Sequence, residues 1–136
     1  MNNSEKLIEK LKMIEHPEGG FFSESFRDNN NNVSLIYYLL KKSQRSHWHR
    51  LTKNEILHFY DGSYLNVHIS DDSKTSYTKI LGRNINNNEN LHLVIPAGSW
   101  FSMTSSGSYS LIGCTVAPGF DYKDFELAPK NWQPGN

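Results

Sequence analysis

The sequence contains one cysteine, Cys114, among 136 residues, which excludes an intramolecular disulfide. Lys plus Arg and Asp plus Glu each number 14, so no net charge favours binding to nucleic acid or to an anionic membrane. No apolar run approaches the roughly 20 residues of a membrane span, and residues 1–12 lack the apolar core of a signal peptide. We therefore expect a cytoplasmic protein of one domain, with no nucleic-acid partner and no membrane partner.

The hydrophobic pattern predicts one N-terminal helix followed only by strands. Apolar residues at helical spacing predict a helix over residues 4–14 with Ser4 as its N-cap, and Pro17 and the glycines after it end this helix. Short β-prone segments follow at residues 21–27, 33–40, 47–49, 55–60, 64–69, 76–81, 91–95, 100–104 and 110–116. Many short strands of this kind indicate a sandwich or a barrel. We expect the barrel over about residues 20–117 and a docked tail over 118–136, because the aromatic residues in the tail are too apolar to remain exposed to solvent.

Two histidines, His47 and His49, lie two residues apart in one predicted strand, and Glu55 follows after a short polar break. Because side chains alternate faces along a strand, the two imidazoles are expected on the same face. Two imidazoles and a carboxylate that converge from neighbouring strands are typical of a metal site, or of a general acid/base pair without metal. The residues alone leave both alternatives open.

Six segments, in order, carry a resemblance to a known family. They are residues 16–27, 36–40, 46–50, 54–62, 94–100 and 113–121, with His49 to Gly62 close to a first motif and Ile95 to Phe101 close to a second. The sequence resembles the small single-domain cupins of the Cupin_5 family, formerly DUF985. This resemblance implies an all-β, RmlC-like cupin jelly-roll β-barrel, usually a homodimer, with a pocket at the barrel mouth for a small-molecule ligand.

The resemblance implies His47, His49 and Glu55 as candidate metal ligands, with Zn, Mn, Fe or Ni as candidate ions. In metal cupins a further ligand stands three residues after the glycine of the second motif, where this chain has Phe101 after Gly98. A phenyl ring cannot coordinate a metal. We therefore predict that a divalent metal, if it is a cofactor, binds through three protein groups at most.

The candidate catalytic residues are His49, Glu55 and His58. Strand alternation directs His58 to the face opposite Glu55 unless a bulge intervenes. The sequence therefore does not decide which face of the strand carries His58. The candidate ligand-binding residues are Glu24, Arg27, Tyr38, Trp48, Trp100 and Phe101. Among these, Arg27 can hold a carboxylate or phosphate through two hydrogen bonds, or pair with Glu24 at the surface.

The sequence thus supports three functional hypotheses. The first is an isomerase or epimerase acting on a small polar molecule, such as a sugar derivative, in which His49 is the base and Glu55 orients the imidazole or shares its proton. The alternatives are a metal-dependent dioxygenase or decarboxylase and a non-catalytic ligand-binding module. A homodimer is also expected, because the apolar segment 33–40 and the aromatic tail exceed what a small barrel buries easily.

Overall fold

Two antiparallel β-sheets and one short helix form the frame of the computed structural model, which describes residues 1–136. The helix α1 spans Asn3–Lys10, and two 3₁₀ turns span Ile85–Asn87 and Tyr122–Asp124. The strands are β1 Ile14–Glu15, β2 Phe21–Arg27, β3 Ser34–Lys41, β4 Ser46–Leu51, β5 Glu55–Gly62, β6 Leu65–Ser70, β7 Tyr77–Leu81, β8 His92–Ile95, β9 Trp100–Ser105, β10 Tyr109–Val116 and β11 Phe125–Leu127. The sheet orders are β1-β2-β3-β10-β5-β8 and β11-β4-β9-β6-β7.

The helix α1 is shorter than the predicted helix, and its cap differs. Asn2, not Ser4, is the N-cap: its side chain accepts a hydrogen bond from the Glu5 N–H, and the Glu5 carboxylate accepts one from the Asn2 N–H. The chain leaves the helix before Lys12, whose positive φ of 55° is outside helical geometry. Ile14, predicted as helical, therefore begins β1 instead.

The main core lies between the two sheets. It contains side chains from both, among them Leu40, Leu57 and Ile112 of the larger sheet and Val67 and Met103 of the smaller one. The predicted all-β jelly roll with an N-terminal helix is confirmed, although the two sheets pack face to face without closing into a continuous barrel. The chain has no helix with the length and hydropathy that a membrane span requires.

The helix α1 covers only part of the outer face of the larger sheet. Leu39 and Leu111 form a second buried cluster there with Met13 and the apolar side of the helix. Beyond the helix, a row of side chains without charge crosses five neighbouring strands, at Phe26, Leu35, Thr115, Ile56 and Val94. Phe26 and Val94 at the ends of this row are both about half exposed, so this part of the sheet is an uncovered apolar face.

We propose that this uncovered face pairs with a second copy of the chain, as expected for a homodimer. Wild-type protein should sediment at about twice 15.7 kDa, whereas Val94→Asp should sediment as a single chain, because an aspartate there is unpaired in the buried contact. Ile85→Asp is the control, since Ile85 is equally exposed but lies on a 3₁₀ turn away from the row. A wild-type protein of 15.7 kDa would contradict the proposal.

The tail covers parts of both sheets. The segment 118–125 runs along the open end between the sheets, and β11 then pairs with β4. After β11, Trp132 packs against Trp48 and Trp100 on the outer face of the smaller sheet, with ring centroids 6.0 and 4.7 Å apart. The tail thus borders the site described below and also covers two aromatic residues outside it.

Candidate functional site

A cavity of about 340 Å³ lies between the sheets and opens beside the tail segment 118–125. This is the lower end of the volume range that small-molecule sites occupy. Its buried end carries titratable side chains from four parts of the chain, namely His16, Glu18, Tyr38, His49 and Glu55. Apolar side chains of β2, β3, β9 and β10 line the middle, and aromatic residues of the tail line the exposed end.

A bulge in β4 decides which histidine faces this cavity. The pairing of β4 with β9 shifts between Ser46 and His49, so the alternation of side chains is interrupted there. The side chains of Ser46 and His49 are both buried and reach the residues at the end of the cavity. His47 lies elsewhere, and its Nε2 contacts the carbonyl oxygen of Pro129 at 2.9 Å. The expected common face for His47 and His49 is therefore wrong.

Glu18 is the centre of a buried polar network. Its Oε1 lies 3.3 Å from Nε2 of His49 and 3.5 Å from Nδ1 of His16. The hydroxyl of Ser46 donates to Oε2 of the same carboxyl group. The turn that carries Glu18 is tied to the larger sheet, because the Tyr38 hydroxyl donates to the Gly19 carbonyl oxygen. These contacts hold a carboxyl group and two imidazoles side by side.

The backbone hydrogen bonds set the tautomers of both histidines. The His47 carbonyl oxygen lies 2.8 Å from Nδ1 of His49, so Nδ1–H donates and Nε2 of the neutral ring presents a lone pair toward Glu18. In His16, Nδ1 accepts the Glu18 backbone N–H at 3.1 Å. Its neutral ring therefore carries the proton on Nε2, which has no hydrogen-bond partner in the protein.

Burial shifts the pKa of each member of this network toward its neutral form. It lowers the pKa of His49, although the Glu55 carboxylate acts in the opposite direction. Burial raises the pKa of Glu18, and the nearby His16 acts against this rise. The two shifts favour the neutral forms of the Glu18 carboxyl group and of the His49 imidazole.

Glu55 opens β5 and is 9 % exposed. Its carboxylate lines the cavity and makes no hydrogen bond to a nitrogen or oxygen of the protein. Burial raises its pKa to about 7, while His49 lowers it and Glu18 raises it further. A carboxylate that titrates near neutral pH can accept and return a proton under ordinary conditions. Cys114 lies beside it with a pKa raised well above the ordinary value by burial, so its thiol stays protonated.

Sequence reasoning missed the catalytic potential of His16 and Glu18. Both belong to the first segment that carries the family resemblance, but the His-Pro-Glu-Gly-Gly stretch indicates only a turn. A signal was nevertheless present. A charged side chain between Pro17 and two glycines in a matching segment has little reason to be structural, because the turn itself needs no carboxylate.

The candidate ligand-binding residues divide into two groups. Glu24, Arg27 and Tyr38 line the cavity. Trp48 and Trp100 do not, since they pack under Trp132 on the outer face of the smaller sheet. The expectation that these tryptophans line the cavity is therefore wrong, because each directly precedes an inward-facing residue, His49 or Phe101, and successive side chains of a strand face opposite ways.

Arg27 is already engaged by the protein. Its Nε and Nη2 donate to Oε1 of Glu24 at 3.1 and 2.7 Å, and its Nη1 donates to the Phe120 carbonyl oxygen at 2.9 Å. The same Nη1 also donates to the side chain of Asn31. The guanidinium thus ties the tail to β2. Of the two alternatives for Arg27, the structure shows the pair with Glu24 and not a guanidinium free to bind a ligand anion.

Phe101 faces the space between the two sheets, whereas His58 faces away from it. The ring of Phe101 faces the interior and packs against His49 at a centroid distance of 4.0 Å, so it supports the imidazole. His58 is on the outer face of the larger sheet, where its Nε2 lies 2.9 Å from the Thr115 hydroxyl. Because β5 keeps regular alternation from Glu55 to His58, His58 is not part of the cavity, contrary to its candidacy as a catalytic residue.

The residues present do not fit the three-ligand metal site implied by the sequence. The described chain holds no group of three or more His, Cys, Asp or Glu side chains arranged to hold a metal ion. His47 bonds to the tail, and the position that supplies a ligand in metal cupins carries the inward-facing ring of Phe101. No step of the chemistry proposed below is therefore routed through a metal.

Solved structures of other proteins are similar to this chain. A protein from Shewanella oneidensis is 34% identical, with a TM-score of 0.88, over 94% of this chain and 85% of that one. A hypothetical protein from Leishmania major is 30% identical, with a TM-score of 0.84, over 93% and 88%. Oxalate decarboxylase from Bacillus subtilis shares the fold alone, at 16% identity and a TM-score of 0.67, over 83% of this chain and 29% of that one.

The sequence also matches a protein family over nearly its whole length. Residues 5–128 match Cupin_5, described as Cupin superfamily (DUF985). No curated protein matches the sequence. The resemblance seen in the six sequence segments is confirmed by this match and by the two structures that are at least 30% identical. The chain belongs to the Cupin_5 family of the cupin superfamily.

Proposed function

We propose that the protein is an acid–base enzyme of the isomerase or epimerase kind, which moves a proton on a small polar molecule in the cavity. The observation that carries this proposal is Glu55. Its carboxylate is buried, faces the cavity, has only the Cys114 thiol as a hydrogen-bonding neighbour in the protein and has a pKa of about 7. A base of this pKa transfers protons efficiently near neutral pH. Glu55 thus takes the role of base that the sequence suggested for His49.

The chemistry suited to these groups is proton transfer beside a carbonyl group. The Glu55 carboxylate takes the proton from the carbon, the C–H electron pair moves into the adjacent C–C bond, and the carbonyl π pair moves to oxygen. The Nε2–H of His16 is a free donor for that oxygen. The Glu18 carboxyl group, whose pKa is raised by burial, is a proton donor for the return step, and return to another face or another carbon gives the isomer.

Proton exchange in deuterated water tests this proposal with a panel of compounds, so the natural substrate need not be identified first. Small aldehydes, ketones and keto sugars are incubated with the protein, and proton NMR follows the loss of C–H signals. Glu55→Gln should slow exchange about 10²- to 10⁴-fold, the usual contribution of a general base. His58→Gln is the matched control and should exchange at the wild-type rate, because His58 lies outside the cavity.

Two results would contradict the proposal. One is an equal loss of exchange in both variants, since that would trace the effect to the fold instead of the cavity. The other is full exchange in Glu55→Gln. If the wild-type protein binds a member of the panel but exchanges none of its protons, the non-catalytic binding module becomes the better function. That alternative is favoured by one observation, the strongly apolar and aromatic lining between the two ends of the cavity.

A further inference from the structure

The exposed end of the cavity carries three aromatic rings from the tail, here called the aromatic trio, Phe120, Tyr122 and Phe125. Their centroids lie 4.9 to 6.1 Å apart, and every pair meets edge to face. All three line the cavity. A cation in a space that aromatic rings line can lie against a ring face, which attracts it.

The charges that line the cavity have one predominant sign. Four carboxyl groups face it, on Glu18, Glu24, Glu55 and Asp121, against one permanent cation, Arg27. Arg27 is already paired with Glu24. Burial favours the neutral forms of the two histidines and of Glu18, so the remaining charge is that of the Asp121 and Glu55 carboxylates. The lining therefore attracts positive charge and repels anions.

Glu55 is an independent sign that the cavity is built for a ligand. Only 9 % of its surface is exposed, and the one donor that the protein gives its carboxylate is the Cys114 thiol, which is a weak one. Such a group is costly to the fold. Its cost is offset when a bound molecule supplies a donor at the buried end of the cavity.

Taken with the aromatic trio, these features define the class of ligand. We propose that the cavity binds a small organic cation, whose ammonium group lies against the aromatic trio beside Asp121 and whose uncharged part extends toward Glu55. This inference deepens the proposed function, because it names the substrate class of the same cavity. In this arrangement the positive charge of the ligand lies at the exposed end of the cavity, and Glu55 at the buried end remains free to accept a proton.

Three probes of nearly identical shape test the role of charge. They are choline, its neutral isostere tert-butylethanol, in which carbon replaces nitrogen, and the anion of tert-butylacetic acid. Dissociation constants are measured by ligand-observed NMR and isothermal titration calorimetry. Choline should bind about tenfold more tightly than tert-butylethanol, in line with one desolvated cation–π contact. The anion should bind more weakly than either.

Variants of the tail locate the effect. Tyr122→Leu and Asp121→Asn should each weaken choline binding several-fold and leave tert-butylethanol unchanged, because only the cation uses the ring face and the carboxylate. Glu126→Gln is the control: it removes the same charge from the same part of the tail, but its carboxylate pairs with Arg50 away from the cavity. It should bind all three probes as the wild type does.

The inference is overturned if choline and tert-butylethanol bind equally, if the anion binds most tightly, or if choline fails to bind at about 10 mM, beyond the millimolar range of weak ligands. Its failure is distinguishable from failure of the proposed function. Binding of these probes requires no proton transfer, and exchange in deuterated water requires no preference for cations. A protein that prefers choline but never exchanges protons keeps this inference and loses the enzymatic proposal.

Discussion

Glu55→Gln is expected to raise the free energy of unfolding by about 3 kcal/mol at about pH 8 and to leave it nearly unchanged at about pH 4. The reason is the rise of the folded-state pKa of Glu55 from 4.5 to about 7. Between these values the folded chain holds a proton that the unfolded chain releases. The wild type therefore loses stability as the pH rises through 7. The glutamine variant does not, because its side chain does not ionise.

Urea denaturation at the two pH values measures this effect. The histidines of the cavity contribute in the opposite sense, because their lowered pKa values reduce stability as the pH falls below 6.5. Comparison of variant and wild type at the same pH removes that contribution. Glu126→Gln, an exposed carboxyl group paired with Arg50, should show no pH-dependent gain. Equal effects of Glu55→Gln at both pH values would mean that the folded protein does not raise the pKa of Glu55.

Gly19→Ala should destabilise the protein by about 3 kcal/mol or more, whereas Gly98→Ala should cost only about 1 kcal/mol. Both glycines have positive φ angles, 111° at Gly19 and 86° at Gly98. They differ in what a Cβ atom would meet. At Gly19 it would overlap the backbone carbonyl oxygen of Arg45, while at Gly98 it would meet nothing within 4 Å. The pair of variants therefore separates backbone strain from a steric clash.

The clash at Gly19 also reaches the cavity. The carbonyl oxygen of the preceding residue, Glu18, accepts the His47 N–H at 2.8 Å, so a shift of this turn moves the carboxyl group at the centre of the buried network. Urea denaturation gives the stability, and proton exchange in deuterated water gives the effect on the cavity. Similar losses of stability in Gly19→Ala and Gly98→Ala would show that the turn adapts to the added methyl group.

The strands were predictable because each is a short β-prone segment between breaking residues. Phe21–Arg27 was predicted with both ends correct, and most other strands differ by one or two residues. The outer face of the apolar segment 33–40 is covered only in part, at Leu39 and not at Leu35. The sequence did not reveal the cause, because α1 and not a partner covers Leu39. Contacts between distant segments of this kind leave no local pattern.

The candidate site was predicted only in part, and the reasons are local. His49, Glu55 and Tyr38 were selected correctly as residues that line one cavity. The prediction for His47 failed because strand alternation assumes a regular pairing, and the bulge in β4 adds a residue. Glu18 could not be found by periodicity at all, since it lies in a turn, where position in the chain says nothing about the direction of a side chain.

All three tryptophans of the chain, Trp48, Trp100 and Trp132, lie in one cluster on the outer face of the smaller sheet. The Trp48 indole nitrogen is buried there without a hydrogen-bond partner. Intrinsic fluorescence therefore reports the docking of residues 128–136, and detachment of the tail should shift the emission to the red. Because no tryptophan lines the cavity, this fluorescence should change little when a molecule binds there. A fluorescence titration that shows no change therefore says nothing about whether the protein binds its ligand.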